Sequence, residues 1–246
     1  RRQRQMCIRD SFITFEPAGL RPGTNVRRQG EIFRAGEVLL TAPRRLTRGD
    51  IGLAASLGYA KLSCRPVVRA AVFSSGDELV EPSDGRPLSD GRIYNANGAY
   101  VTLAARALGI DAEYAGILPD DDAVIEARFR EAAATHDLVI CSGGVGPGDC
   151  DFTAAVLNRL ADLRHYHVAL RPGKPFSFGY FKEAHTLILG LPGNPVASAT
   201  SAENFLRTAV EALQGVHEKQ LVLTARLEGR IKSRAGRRDI VRGVLK

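Results

Sequence analysis

Four short segments carry the residues of this chain that could do chemistry. They read SSGDELVEP (Ser74–Pro82), SGGVGPGDCDF (Ser142–Phe152), RPGKP (Arg171–Pro175) and GLPGNP (Gly190–Pro195). Gly143, Gly144, Gly146 and Gly148 let the backbone approach a ligand closely with N–H groups turned inward. Lys174 is a compact cation stiffened by a proline on each side of its segment. Asp77, Glu78, Asp120, Asp121, Asp149 and Asp151 are hard oxygen donors of the kind that hold a divalent cation. In GLPGNP, Asn194 is placed to cap a helix, and Pro195 takes the first helical position, where a missing N–H costs nothing. Such a strand–turn–helix junction presents free backbone N–H groups and a positive helix end, which suits an anion. Anion-binding loops beside carboxylates point to a metal-assisted phosphate or oxyanion site.

Each residue also has a plainer role. Glycine-rich loops after strands are commonly turns, and Asp120–Asp122 and Asp151 suit helix caps. His165 and His167 alternate on one strand face, which without a third ligand reads as a half-buried strand rather than a metal site. His136, His185 and His217 read as structural. Cys150 has no paired base in view, which argues against a thiolate nucleophile. Cys141 reads as a small buried strand residue.

The elements that must position these loops alternate strand with helix. Arg69–Ser74 is a short apolar strand ahead of the Gly76 loop. Val101, Leu103, Ala104, Ala107 and Leu108 recur at helical spacing over Asn97–Leu108, and Gly109 closes that helix in the left-handed position. Ala112–Leu118 is a second strand and Asp121–Ala134 a second helix, its positive N-terminus loaded by Asp120–Asp122. Asp137–Ser142 is a third strand, Asp151–Leu163 a third helix, and Tyr166–Leu170 a strand-like run. A hairpin around Ser177–Leu189 and a long helix, Asn194–Leu213, follow. Asp239–Leu245 reads as a strand. This pattern predicts an α/β fold: a three-layer, mostly parallel sheet with helices on both faces. Ligands bind such sheets outside the carboxyl ends of the strands, where all four loops fall.

Composition narrows the class. At 246 residues with 44% hydrophobic content, the chain can bury a substantial core. Cysteines 7, 64, 141 and 150 show no CxxC spacing, which fits a reducing cytoplasm. The first residues are arginine-rich and lack the apolar stretch of a signal peptide. The uncharged run Ala184–Ala202 approaches a membrane span in length, but Pro192, Gly193, Asn194 and Pro195 at its middle exclude a membrane helix. The net charge of +7 is unevenly spread. Residues 71–215 hold 11 Lys and Arg against 19 Asp and Glu, so the basic excess lies in the flanks. A nucleic-acid binder would concentrate that charge on its core, so no nucleic-acid partner is expected.

The ordered set GDEL (Gly76–Leu79), DGxIxNxN (Asp90–Asn97), SGGVxxGDxDF (Ser142–Phe152), RPGKPFSFG (Arg171–Gly179) and GLPGNPV (Gly190–Val196) resembles the MoeA-type molybdopterin molybdotransferases. Gephyrin's C-terminal domain belongs to the same group. The resemblance runs from about Asn25 to the end. It implies a partial N-terminal region over 1–66 (1–11 of non-native character), a molybdopterin-binding α/β domain over 67–215, and the truncated start of a C-terminal β domain over 216–246. It also implies molybdenum cofactor biosynthesis: insertion of molybdate into adenylylated molybdopterin with Mg2+-dependent release of AMP.

By matching motif, Glu78, Asp121 and Asp151 would be the catalytic carboxylates, with Mg2+ on Asp151 and Glu78. Ser75, Gly76, Asn97, Ser142, Gly143, Gly144, Lys174, Pro175, Pro192, Asn194 and Pro195 would bind molybdopterin-AMP and molybdate. The resemblance further implies a cytoplasmic homodimer that meets a molybdopterin adenylyltransferase and apo-molybdoenzymes, without nucleic acid or membrane. Gly146-Pro147, Ala197, Arg171 and Asn95 depart from the usual Ser, Ser, Lys and Asp of the family. Two other readings fit part of the pattern. One is a molybdopterin-binding protein of the competence-damage type, whose loop resembles GGxGPxxxD; the other is a non-catalytic binding or scaffolding module.

Overall fold

The computed structural model describes residues 21–85, 87–144 and 152–244. It divides into two compact units, one ending at Ala42 and one beginning at Pro43. In the described part of the first unit the chain forms hydrogen-bonded turns, such as Val26 N–H donating to the Gly23 carbonyl at 2.9 Å. The second unit begins with helix α1 (Arg48–Ser56), started by a capping box between Thr47 and Asp50.

The second unit is built on one six-stranded sheet. In chain order its elements are β1 (Arg69–Ser75), β2 (Leu79–Val80), β3 (Ile93–Tyr94), α2 (Ala96–Ala107), β4 (Asp111–Leu118), α3 (Asp122–Thr135), β5 (Leu138–Ser142), α4 (Phe152–Leu160) and β6 (Ala161–His167). There follow β7 (Leu170–Arg171), β8 (Pro175–Phe181), β9 (Leu187–Leu191), α5 (Pro195–Ser201), a π-helical turn (Ala202–Leu206), α6 (Arg207–Gln214) and β10 (Arg238–Asp239). The strand order is β4-β1-β5-β9-β8-β6. The first four strands are mutually parallel; β8 runs antiparallel to β9, and β6 antiparallel to β8.

The central strands are apolar at successive positions because both faces of the sheet are covered. Val72, Ile140 and Leu189 face one core, filled by Val101 and Ala105 of α2, Leu206 of the π turn and Val210 of α6. Phe73, Val139 and Ile188 face the other, filled by Ile125 and Phe129 of α3 and Val156 and Leu157 of α4. Phe73 and Phe129 meet edge to face at 5.5 Å, a favourable arrangement of their ring quadrupoles. The predicted α/β class with helices on both faces is therefore the observed one. Gly109 closes α2 at φ +77°, as its position implied.

Three boundaries differ from the sequence reading. Helix α4 ends at Leu160 and not Leu163, and β6 starts at Ala161 and not Tyr166. The cause is long-range: residues 161–167 pair with β8 from Ala161 opposite Phe181 to His167 opposite Pro175. Gly179 permits this, since a side chain there would overlap the Asp162 carbonyl. The strand predicted over Asp239–Leu245 is confined among the described residues to Arg238–Asp239, the two residues that pair with β7. The helix predicted over Asn194–Leu213 exists but is interrupted by the π turn. At its start Thr200 Oγ1 donates back to the Val196 carbonyl and Asn204 Nδ2 to the Thr200 carbonyl, local bonds that compete with the helical ladder. The uncharged run 184–202 is folded as β9, its turn and α5. Among the described residues no helix is long and apolar enough to cross a membrane.

Candidate functional site

Three strand ends lie side by side. Ser74 of β1 is in register with Ser142 of β5, and Ser142 with Leu191 of β9. The glycine motif that follows Ser142 is squeezed between its neighbours. Gly143 has φ +83°, and a Cβ there would overlap the Ser75 carbonyl oxygen. Gly144, at φ +61°, would place a Cβ 2.6 Å from Ser75 Oγ and 2.9 Å from Thr153 Oγ1. Those two hydroxyls are themselves 2.7 Å apart and buried. Only glycine satisfies both the left-handed backbone and the close approach. The Gly143 N–H donates to the Leu191 carbonyl at 3.0 Å, so it ties β5 to β9.

Asn97, in the first turn of α2, reaches across this edge. Its Nδ2 donates to Ser142 Oγ and to the Gly193 carbonyl, each at 2.8 Å. Ser142 Oγ also lies 3.1 Å from Ser198 Oγ and 3.3 Å from the Pro192 carbonyl, to which it donates. Segments distant in sequence are thereby locked into one wall.

Behind that wall lies a polar network absent from the sequence reading. Asn95 caps α2, accepting from Gly98 N–H at 3.0 Å, while its Oδ1 accepts from Ser74 Oγ at 3.0 Å. Asn95 Nδ2 donates to Tyr114 Oη at 2.6 Å, and that hydroxyl donates to Glu81 Oε1. Burial first, and the adjacent Glu81 carboxylate second, raise the Tyr114 pKa above its ordinary value. Tyr114 sits in a strand and Glu81 in a loop, and neither has a spacing that marks it. Ser74 and Glu81 lie in the SSGDELVEP segment and Asn95 stands where the family often has Asp, but nothing in the sequence links them to Tyr114.

The GLPGNP junction corrects one expectation. Asn194 does cap α5 and Pro195 does take its first position. The backbone N–H groups there are not free, however. Asn194 Oδ1 accepts from Val196 and Ala197 N–H, each at 3.1 Å, and the Asn194 carbonyl accepts from Ser198 N–H at 2.8 Å. The cap that starts the helix occupies the donors an anion would have used. Ser198, the hydroxyl nearest to Ala197, is fully buried against Ser142.

The remaining predicted residues fall as follows. Lys174 is exposed in the β7–β8 connection, and Pro175 opens β8. Because β8 is antiparallel to β9, with Ser177 opposite Gly190, this loop lies at the same sheet edge as GLPGNP. Gly76 has its neighbour's carboxylate folded over it, since a Cβ there would lie 2.5 Å from Glu78 Oε2. Asp121 caps α3, accepting from Ala123 and Val124 N–H at 2.9 and 3.1 Å. Asp151, with Gly146, Pro147, Gly148, Asp149 and Cys150, lies outside the described residues. His136 is structural: its ring pairs with Glu113 at 3.1 Å and contacts the Ala132 carbonyl at 3.1 Å. Among the described residues no group of three His, Cys, Asp or Glu could hold a metal ion.

Residues 71–212 match the family described as "Probable molybdopterin binding domain". The chain belongs to this family. Over 236 residues it is 38% identical to the molybdopterin molybdenumtransferase of Haemophilus influenzae, covering 95% of this chain and 57% of that protein. It is 35% identical over 193 residues to the enzyme of that name from Bacillus subtilis, covering 77% of this chain and 43% of that one. The solved molybdopterin biosynthesis MoeA protein of Pyrococcus horikosii superposes with a TM-score of 0.59 at 30% identity, over 70% of this chain and 42% of that one. The chain thus spans about half the length of the curated relatives it matches.

In this molybdopterin-binding domain, Asn97, Ser142, Gly143 and the Pro192–Asn194 turn are joined directly, whereas Glu78 and Asp121 stand at separate loops of the same edge. The arrangement is a platform of backbone and hydroxyl groups beside a loop that exposes Arg171 and Lys174.

Proposed function

We propose that this chain is the substrate-binding part of a molybdopterin molybdenumtransferase, which brings molybdate to the dithiolene of adenylylated molybdopterin and releases AMP. The observation that carries the reading is the Asn97–Ser142–Gly193 clamp, which locks the loops after β5 and β9 together beside the Lys174 loop. Both substrates are anions and repel each other. Lys174 and Arg171 would offset that repulsion, and the Gly143–Gly144 turn, packed against Ser75 and Thr153, would form part of the wall that the pterin phosphate meets. Ser75, Gly76, Pro175, Pro192, Asn194 and Pro195 would shape the pocket around it.

The same reading includes Mg2+, a cytoplasmic homodimer, and as partners a molybdopterin adenylyltransferase and apo-molybdoenzymes. Glu78 is an exposed carboxylate at the mouth and suits a hard cation. Asp151 lies outside the described residues, and the described donors by themselves do not make up a metal site.

The test uses the purified chain with molybdopterin-AMP, Mg2+ and molybdate. AMP release that requires molybdate, with reconstitution of an apo-molybdoenzyme, is the expected result. Tight binding of molybdopterin-AMP without AMP release would leave a non-catalytic binding module and overturn the transferase reading.

A further inference from the structure

We infer that residues Arg238–Ile240 are a strap that positions the cationic RPGKP loop, with Asp239 as the positioning residue that fastens it. This rests on the proposed role of Lys174 in holding an anion. β10 runs parallel to β7, with Arg238 opposite Leu170 and Asp239 opposite Arg171. Arg238 N–H donates to the Ala169 carbonyl at 2.7 Å, and Ile240 N–H to the Arg171 carbonyl at 2.8 Å. The base of the loop is closed by Val168 N–H donating to the Lys174 carbonyl at 2.9 Å. The strap therefore grips two carbonyls inside a loop that is otherwise pinned at its base.

Among the described residues the inner side of the loop has no equivalent polar tie. Gly173 rests on α5, where a Cβ would come 2.7 Å from Ser201 Oγ, and that buried hydroxyl has no hydrogen-bond partner among the described residues. Where the loop sits, and so where Lys174 points its charge, depends on the outer strap.

Asp239 fixes the strap's own conformation. Its carboxylate accepts from Ser233 Oγ at 2.5 Å and pairs with Arg237 Nε at 3.0 Å, and its side chain is 9% exposed. It is the single acidic residue among seven basic ones over residues 229–246. The hydrogen bond from Ser233, then Arg237 and Arg171, hold its carboxyl below the ordinary range. A lone acid in a basic stretch, half-buried and paired in register with Arg171, is a specific fastening.

The test compares Ile240→Pro, which deletes the N–H donated to Arg171, with Ile240→Ala, which keeps it. Two readouts are taken on the full chain: amide hydrogen exchange over residues 168–175, and the Kd for inorganic molybdate by titration calorimetry. Ile240→Pro should raise exchange in that segment and weaken molybdate binding about five- to tenfold, as expected for losing one hydrogen bond, while Ile240→Ala changes Kd less than about twofold. Should Ile240→Pro fail to fold, Asp239→Asn leaves the backbone donors in place and is expected to shift both readouts in the same direction. Unchanged exchange over 168–175 overturns the strap. Raised exchange with unchanged Kd, while Lys174→Ala abolishes binding, overturns its positioning role. Unchanged Kd in Lys174→Ala overturns instead the reading of Lys174 itself, and the exchange data still decide whether the strap holds the loop.

Discussion

Asn97 Nδ2 and Ser142 Oγ, 45 positions apart in the chain, are joined by a 2.8 Å hydrogen bond, and the same Nδ2 holds the Gly193 carbonyl at 2.8 Å. One side chain thereby sets the spacing between the β5 and β9 loops. Its amide has two donors, and a carboxylate in its place would meet a carbonyl with no proton to offer.

Asn97→Ala should therefore lower stability by about 1 kcal/mol, the net worth of a hydrogen bond, since Gly193 is exposed and Ser142 Oγ keeps Ser198 and the Pro192 carbonyl as partners. Asn97→Asp should be at least as damaging. Chemical denaturation of the two variants beside the parent chain measures this, and an Asn97→Asp chain as stable as the parent would show that the clamp does not bear on the fold.

Gly143→Ala should be more damaging than Gly85→Ala. Both glycines have left-handed backbones, at φ +83° and +62°, which cost a side-chain-bearing residue about 1–2 kcal/mol. Gly85 has open space where the Cβ would go, while at Gly143 the Ser75 carbonyl occupies that space. Thermal unfolding of the pair separates the steric part from the conformational part. Equal losses would mean that the β1 end yields.

Tyr114 predicts an alkaline effect. Its pKa in the fold is raised above the ordinary 10.0, by burial and by Glu81. Above pH 10 the unfolded chain has lost this proton while the folded chain still holds it, so unfolding releases a proton and stability falls as pH rises. Below pH 10 the contribution is fully present. Unfolding measured from pH 8 to pH 11 should show this decline in the parent chain and a shallower one in Tyr114→Phe, and matching slopes would remove Tyr114 as the cause. Tyr114→Phe should also cost stability near neutrality, because it leaves Glu81 and Asn95 without their shared partner.

Much of the fold was legible because its causes are local or periodic. The runs at Ala70–Phe73, Leu138–Cys141 and Leu187–Leu191 read as strands because residues of a twice-covered sheet are apolar at every position. Gly109 marked the end of α2, and Asn194-Pro195 marked the start of α5, because caps are built from neighbouring residues. The boundary between α4 and β6 was not legible, because it depends on the partner strand β8. The Ser74–Asn95–Tyr114–Glu81 network was not legible either. Ser74, Glu81 and Asn95 lie in the motif segments, but nothing in their spacing couples them to one another or to Tyr114, and they meet only where β1, β4 and α2 converge.

The sequence by itself determined which segments are strands and helices and which turns demand glycine, and its ordered motifs placed the chain in its family. Those features follow from backbone sterics, capping and the burial of apolar runs, all of which act within a few residues. Only the tertiary structure decided which groups remain available. Val196, Ala197 and Gly143 have backbone N–H groups that look free in the sequence and are engaged in the fold. The Lys174 loop is held by backbone more than sixty residues further along the chain. Hydrogen-bond partners across a sheet are set by register and layer order, and no local pattern encodes them.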